Sequence, residues 1–318
     1  VWNFHCGLNE FGHLNRTVDA IKNRYGKPVD VNDFARKCQV LNYELMRPMF
    51  ESFLVNHPVS TGVIQWMLNS AFPEMYWQLY DSYLMPNAAY FATRKACAPL
   101  HLLYHYGSSS IHLINELPKD ATGLKYSIKR YNLNSDVIAV DKGFIDIEKQ
   151  TQIKILDAPW MDLNNPMEFL LLQLFDQADQ LIDDNFYWLS AKEDIMDYEA
   201  IAGSWSFYTP TKQYADLTGI NDLPKANLLV KTQTEIPGTH NVTILNTSPH
   251  LAFFIELKIY SKDNQLVLPI LWSDNYISLP PFEQRVVTLD VPNEYLNEHL
   301  MVTARGYNTA KHAKILNT

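Results

Sequence analysis

The sequence GVIQWML, residues 62–68, is a nearly continuous apolar run. His57-Pro58 precedes it, and the polar pair Asn69-Ser70 follows it. A short apolar run between turn residues is typical of a strand that is buried on both faces of a parallel sheet. We therefore predict a strand over residues 62–68. The alternative is a buried helical segment inside a self-contained helical domain, but a run this short, flanked by glycine and proline, makes a poor helix.

Helical patterns lie on both sides of this run. Residues 15–25 carry apolar side chains at helical spacing and stop at Gly26, and residues 32–53 do the same over a longer stretch that Pro48 should kink or divide. A third helix is predicted from residue 87 to near Pro99. A single buried strand needs neighbours for its backbone groups. The order of helix, helix, strand, long loop and helix is therefore what the end of a (β/α)8 barrel would leave, and we predict such a C-terminal barrel segment over residues 1–107.

The remainder of the chain changes to alternating apolar and polar residues with frequent turn residues. This pattern predicts an immunoglobulin-like β-sandwich over residues 108–202 and a second one over residues 203–318. The strands predicted in the first are 111–115, 124–131, 143–147, 169–174 and 186–189. The strands predicted in the second are 227–234, 241–246, 253–260, 284–289 and 300–305.

Composition narrows the range of partners. The 318 residues are 47% hydrophobic and 19% charged, which is typical of a folded protein, and the net charge is −9. An acidic chain argues against a nucleic-acid or anionic-membrane partner, and no apolar run approaches the length that spans a bilayer. Three scattered cysteines do not form a disulfide framework. Cys6 lies near His5 and His13, but no second ligand cluster accompanies them, so we predict no metal site.

The loop that follows residues 62–68 is the main candidate for chemistry, because sites in βα barrels lie at the carboxyl ends of strands. Residues 69–83 combine aromatic rings with amides and carboxylates. Sugars offer apolar C–H faces and hydroxyl groups, which such side chains bind. The substrate-binding candidates are Trp66, Asn69, Tyr76 and Trp77. The alternative for each aromatic residue is ordinary packing over the barrel end.

No catalytic residue is assigned. Glycoside hydrolysis needs two carboxylic acids, and Glu74 and Asp81 both lie in this loop. Paired catalysts of a barrel usually come from different strands, however, so loop hydrogen bonding is the preferred interpretation for both residues. The chain has no G-x-S-x-G elbow, no P-loop and no dinucleotide-binding glycine pattern.

Several motifs resemble glycoside hydrolase family two, in the branch of exo-β-glucosaminidase and mannosylglycoprotein endo-β-mannosidase. The barrel motifs are NYELMR at 42–47, WMLNS at 66–70, YWQLYD at 76–81, PNAAY at 86–90 and KACAP at 95–99. The sandwich motifs, which are less distinctive, are YWLS at 187–190, WSFYTP at 205–210 and LPILWSDN at 268–275. The family usually has Gly where Ala88 stands.

This resemblance implies a retaining β-glycosidase that acts on an oligosaccharide substrate of the β-glucosaminide or β-mannoside class and needs no cofactor. The nucleophile and the general acid/base of the family belong to earlier barrel strands, so neither maps onto this sequence. It also implies that Trp66 and Asn69 line the sugar pocket, and that the partner of this chain is the N-terminal part of the same enzyme. A periplasmic or secreted location is expected from the group.

Two other functions are considered. A non-catalytic carbohydrate-binding or adhesion protein could be built from sandwich modules, although it would not need a buried parallel strand. The sandwiches could also serve only to brace the barrel, and we expect that role for them.

Overall fold

The computed structural model describes residues 2–158, 166–203, 205–206, 208–296 and 298–316. Phe207 of the motif at 205–210 lies outside the described residues. The chain divides into two compact units. One unit is made of Val1–His13, Gln39–Ala98 and Leu223–Thr318, and the other of Leu14–Cys38 and Pro99–Asp222.

The three predicted helices are confirmed. They are α1 (Asn15–Tyr25), α2 (Val31–Val55) and α3 (Ala88–Ala96). Helix α1 ends where Gly26 takes a φ of +79°, a left-handed value that glycine adopts without steric cost. Pro48 does not divide α2, which runs through it as one helix. Helix α3 begins after Asn87, whose side chain accepts a hydrogen bond from the backbone N–H of Tyr90.

The segment at residues 62–68 differs from its prediction. It is neither a helix nor a member of any strand ladder among the described residues. Its side chains are also not buried on both faces, since Ile64 is 95% exposed, Trp66 75% and Leu68 57%. No strand of the described chain flanks this segment. Its apolar side chains, which would be buried in a parallel sheet, therefore have no neighbouring strand to pack against.

Residues 100–190 form the first β-sandwich, built from two antiparallel sheets with strand orders β1-β2-β5 and β4-β3-β6-β7. The strands are β1 (Leu100–His105), β2 (Ser110–Asn115), β3 (Ala121–Tyr131), β4 (Val137–Ile147), β5 (Thr151–Asp157), β6 (Met167–Phe175) and β7 (Leu181–Ser190). Leu102 and Ile111 from the first sheet share one buried core with Ile128 and Leu172 from the second. Each such side chain contributes about 2 kcal/mol by leaving water. The core therefore joins the two sheets.

A short two-stranded sheet, β8 (Ile195–Met196) with β9 (Thr211–Gln213), follows the first sandwich. Residues 228–315 then form two further antiparallel sheets with strand orders β10-β11-β15-β13 and β14-β12-β16-β17. The strands are β10 (Leu228–Ile236), β11 (Thr239–Asn246), β12 (Ala252–Ser261), β13 (Leu271–Trp272), β14 (Ile277–Leu279), β15 (Gln284–Asp290), β16 (Leu300–Arg305) and β17 (His312–Ile315). Strand β11 alternates buried and half-buried side chains, as expected of a strand with one face on a core.

Strand β1 was not predicted. Sequence analysis put the first strand of the sandwich at residue 111, but Leu100–His105 pairs along its whole length with β2. The first sandwich thus begins directly after α3. Among the described residues, no helix is long and apolar enough to cross a membrane.

Candidate functional site

The loop after residues 62–68 folds back onto the end of that segment. The carbonyl oxygen of Leu68 accepts hydrogen bonds from the N–H of Leu79, at 2.9 Å, and of Tyr80, at 2.8 Å. Asn69 and Tyr80 form an isolated parallel bridge. The two ends of the aromatic loop are therefore fixed to each other by backbone hydrogen bonds, and Trp66 lies close to this junction in sequence.

Trp66 is the most open of the three aromatic residues predicted to bind sugar, with 75% of its surface exposed. Its backbone is held by Gln65, whose side-chain amide donates to the carbonyl oxygen of Trp66 at 3.1 Å and to that of Trp77 at 2.8 Å. The indole ring is thus free to stack on a ligand while the chain beneath it is tethered. Asn69 is exposed as well.

Tyr76 and Trp77, unlike Trp66, pack against other aromatic residues of the chain. The Tyr76 hydroxyl donates to the carbonyl oxygen of His13. The two rings lie 5.0 Å apart and both pack on Phe11, at 5.6 Å for Tyr76 and 4.8 Å for Trp77. These are edge and tilted contacts of the kind that stabilise aromatic clusters. Trp77 retains 36% exposure, but Tyr76 is partly buried with its polar end occupied.

The two loop carboxylates hold the loop together. Oε2 of Glu74 accepts hydrogen bonds from the Ser70 hydroxyl at 2.6 Å and from the Gln78 amide at 2.7 Å. Oδ1 of Asp81 accepts from the backbone N–H groups of Tyr83 and Met85, both at 2.9 Å. Both sets of contacts are local loop hydrogen bonds, which is the interpretation preferred from the sequence.

The N-terminal residues pack on the same loop, which sequence analysis did not predict. Nδ1 of His5 lies 2.7 Å from the carbonyl oxygen of Pro73, and the carbonyl oxygen of His5 accepts from Met75 N–H at 2.9 Å. The rings of Phe4 and Phe72 lie 6.5 Å apart. The several aromatic residues among residues 2–11 are the sequence feature that could have indicated this packing. Among the described residues, no three His, Cys, Asp or Glu side chains are grouped to hold a metal ion.

Comparison with known proteins agrees with the motifs in this loop. The family profile of the exo-β-D-glucosaminidase Ig-fold domain matches residues 206–309. Exo-β-D-glucosaminidase from Arthroderma benhamiae is 30% identical over 98% of this chain and 35% of its own length. This chain is similar to the exo-β-D-glucosaminidases over nearly its whole length. The predicted resemblance is confirmed, and it includes the mannosidase side of the branch, since the mannosylglycoprotein endo-β-mannosidase of Lilium longiflorum is 20% identical over 98% of the chain.

Solved structures give the same result for the fold. The crystal structure of the exo-chitosanase from Amycolatopsis orientalis matches 97% of this chain with a TM-score of 0.89 and 30% sequence identity. The match covers 38% of that enzyme. The chain spans about a third of the length of the curated relatives it matches, in their C-terminal part.

Proposed function

We propose that this chain supplies the C-terminal part of a retaining β-glycosidase that hydrolyses β-glucosaminide or β-mannoside bonds. Residues 1–99 complete the catalytic (β/α)8 barrel, and residues 100–202 and 203–318 are sandwich modules that brace it. The catalytic carboxylates belong to the part of the enzyme that precedes this chain. The N-terminal part of the same enzyme is therefore the partner of this chain, and an oligosaccharide is the substrate.

One observation carries the proposal: residues 62–68 form an irregular apolar segment that is largely exposed to solvent and pairs with no strand of the described chain. Leaving apolar side chains in water is unfavourable, at about 25 cal/mol for each Å². A barrel strand is buried by neighbours on both sides and by the helices outside it. An apolar strand whose neighbours lie elsewhere would have this appearance, and the relatives extend well beyond the region that this chain matches.

Trp66 is proposed as a sugar-stacking residue at the end of that strand. Its ring is large, apolar and exposed, and it offers a flat face to the C–H groups of a pyranose. Asn69, three residues on, can hydrogen-bond a sugar hydroxyl. Tyr76 and Trp77 support the loop by packing on Phe11. Of the two residues, only Trp77 can line the site, with the part of its ring that is exposed.

The chemistry proposed for the whole enzyme is double displacement. One carboxylate attacks the anomeric carbon while a carboxylic acid protonates the leaving oxygen, and water then releases the sugar from the glycosyl-enzyme. Both groups are needed, and Glu74 and Asp81 already hold the loop by hydrogen bonds. This 318-residue chain alone should therefore release no nitrophenol from aryl β-glucosaminide or β-mannoside. Hydrolysis of either by the chain would contradict the proposal.

The role of Trp66 is tested in the complete enzyme. Trp66→Ala should lower kcat/KM for an aryl β-D-glucosaminide about 10- to 100-fold, because a stacking contact of about 1–3 kcal/mol is lost. Trp66→Phe should recover part of the loss. The matched control is Phe144→Ala, which removes an aromatic ring that is 79% exposed on strand β4 of the first sandwich. Equal kinetics for Trp66→Ala and the control would refute a role for Trp66 in substrate binding.

A further inference from the structure

A cavity lies between helix α3 and strands β13 and β15. It has a volume of about 420 Å³ and is lined on one side by Tyr80, Tyr90 and Arg94, and on the other by Leu271, Trp272 and Asp290. This size falls within the range of small-ligand sites, roughly 300–1,000 Å³. All of these residues belong to one compact unit.

The aromatic side of the cavity is well ordered by its contacts. The rings of Tyr80 and Tyr90 lie 4.9 Å apart in an edge arrangement, and the backbone N–H of Tyr80 is fixed to Leu68. Burial, followed by the hydrogen bond with the Tyr90 hydroxyl, raises the pKa of Tyr80 to about 12. Tyr80 therefore keeps a hydroxyl group that can take part in hydrogen bonds at neutral pH.

The charged groups of the cavity retain bonding capacity. Nη1 of Arg94 donates to the carbonyl oxygen of Trp272 at 2.8 Å, and a guanidinium has further N–H donors. Oδ1 of Asp290 accepts from the Thr239 hydroxyl at 2.7 Å, which leaves its second oxygen as an acceptor. Among the described residues, Arg94 and Asp290 are not paired with each other.

A guanidinium, a carboxylate and an apolar surface in one cavity favour a sugar as the ligand. A sugar hydroxyl can donate to a carboxylate and accept from a guanidinium, so neighbouring hydroxyls of one ring can satisfy both groups. A phosphate would be repelled by Asp290, and a simple cation by Arg94. Leu271 is 64% exposed and pairs in register with Asp290, so it presents an apolar surface beside the carboxylate, as the C–H face of a pyranose requires.

We propose that the cavity between α3 and strands β13 and β15 binds a pyranose unit of a neutral or amino sugar, as an accessory saccharide site. The inference goes beyond the proposed hydrolytic function. It does not depend on it, because binding here needs neither the catalytic carboxylates nor Trp66.

The test is a calorimetric or NMR titration of this 318-residue chain with β-1,4-linked glucosamine tetrasaccharide and with β-1,4-mannotetraose. We expect saturable binding of at least one of them. Asp290→Asn should weaken it about tenfold, because a hydrogen bond to a charged group is lost. Leu271→Ala should weaken it as well. Both side chains are exposed, so the variants should fold.

Two controls give the result its meaning. Asp263→Asn makes the same chemical change at an exposed turn and should leave the affinity unchanged. Phe144→Ala, which removes an exposed ring of strand β4, should also leave it unchanged. The proposal is overturned by an absence of saturation up to about 10 mM of both sugars, or by binding that Trp66→Ala abolishes and Asp290→Asn does not affect. That second result would leave the role proposed for Trp66 intact.

Discussion

At the scale of single residues, His112 makes the stability of the first sandwich depend on pH. It is buried on β2, its Nε2 lies 2.8 Å from the Ser110 hydroxyl and its Nδ1 lies 3.0 Å from Oε1 of Gln152. Burial lowers the pKa of His112 below its ordinary value of 6.5, and nearby Lys154 adds to this, while Gln152 and Asp157 act in the opposite direction. The folded state therefore favours the neutral ring.

The sign of the pH dependence follows from this shift. Between the lowered pKa of the folded state and 6.5, the unfolded chain binds more protons, so the free energy of unfolding decreases as pH falls through that window. Above it, the contribution of His112 is constant. We expect the melting temperature of the chain to fall between pH 7 and pH 5, and less so in His112→Gln. His57→Gln, at an exposed position, is the control; an identical slope in both variants would contradict the role given to His112.

The site residues show what a sequence can and cannot predict at this scale. Aromatic residues and amides after an apolar run indicated a sugar-binding loop, but the same residue types serve packing. Only the structure separates Trp66, which is open, from Tyr76, whose hydroxyl and ring are occupied by His13 and Phe11. Those partners lie more than 60 residues away along the chain, so no local pattern could have predicted the contacts.

At the scale of elements, a buried asparagine ends the second strand of each sandwich. Asn115 ends β2, and its amide donates to the carbonyl oxygens of Lys119, at 3.0 Å, and Glu148, at 3.1 Å. Asn246 ends β11, and its amide donates to those of His250, at 2.7 Å, and Pro280, at 3.0 Å. Both side chains are fully buried, so each ties the carbonyl groups of neighbouring loops to the buried end of its strand.

Replacing Asn246 should therefore be costly. Asn246→Ala leaves several buried polar groups without partners, and we expect the free energy of unfolding to decrease by about 3 kcal/mol. Asn227→Ala, at an exposed position before β10, should change it by less than about 0.5 kcal/mol. Urea denaturation of the two variants measures both values. Equal stability would show that the asparagine amide does not hold the loops.

The helices and most longer strands could be predicted because their signals are local. Gly26 and Asn87 mark helix ends by backbone conformation and capping, and β11 alternates in sequence as it does in burial. Strand β1 was missed because it follows α3 directly and its sequence, LHLLYH, shows no regular alternation of apolar and polar residues. Its assignment depends on pairing with β2, which is tertiary information.

At the scale of the whole molecule, the open segment at residues 62–68 makes the proposed assembly testable without any assay of activity. In this chain alone, chymotrypsin should cut rapidly after Trp66, because the segment is exposed, irregular and outside any strand ladder of the described residues. In the complete enzyme, neighbouring barrel strands would bury the same peptide bond. Cleavage after Tyr198, which is 69% exposed, provides an internal reference.

The measured quantity is the ratio of the two cleavage rates, because this ratio cancels differences in protease activity between samples. We expect it to fall at least about tenfold from the chain to the complete enzyme, since protection scales with the free energy of local opening. An unchanged ratio would mean that residues 62–68 remain open in the enzyme. The apolar run would then lack neighbouring strands in the complete enzyme as well, and the assignment of residues 1–99 to a barrel would lose the observation on which it depends.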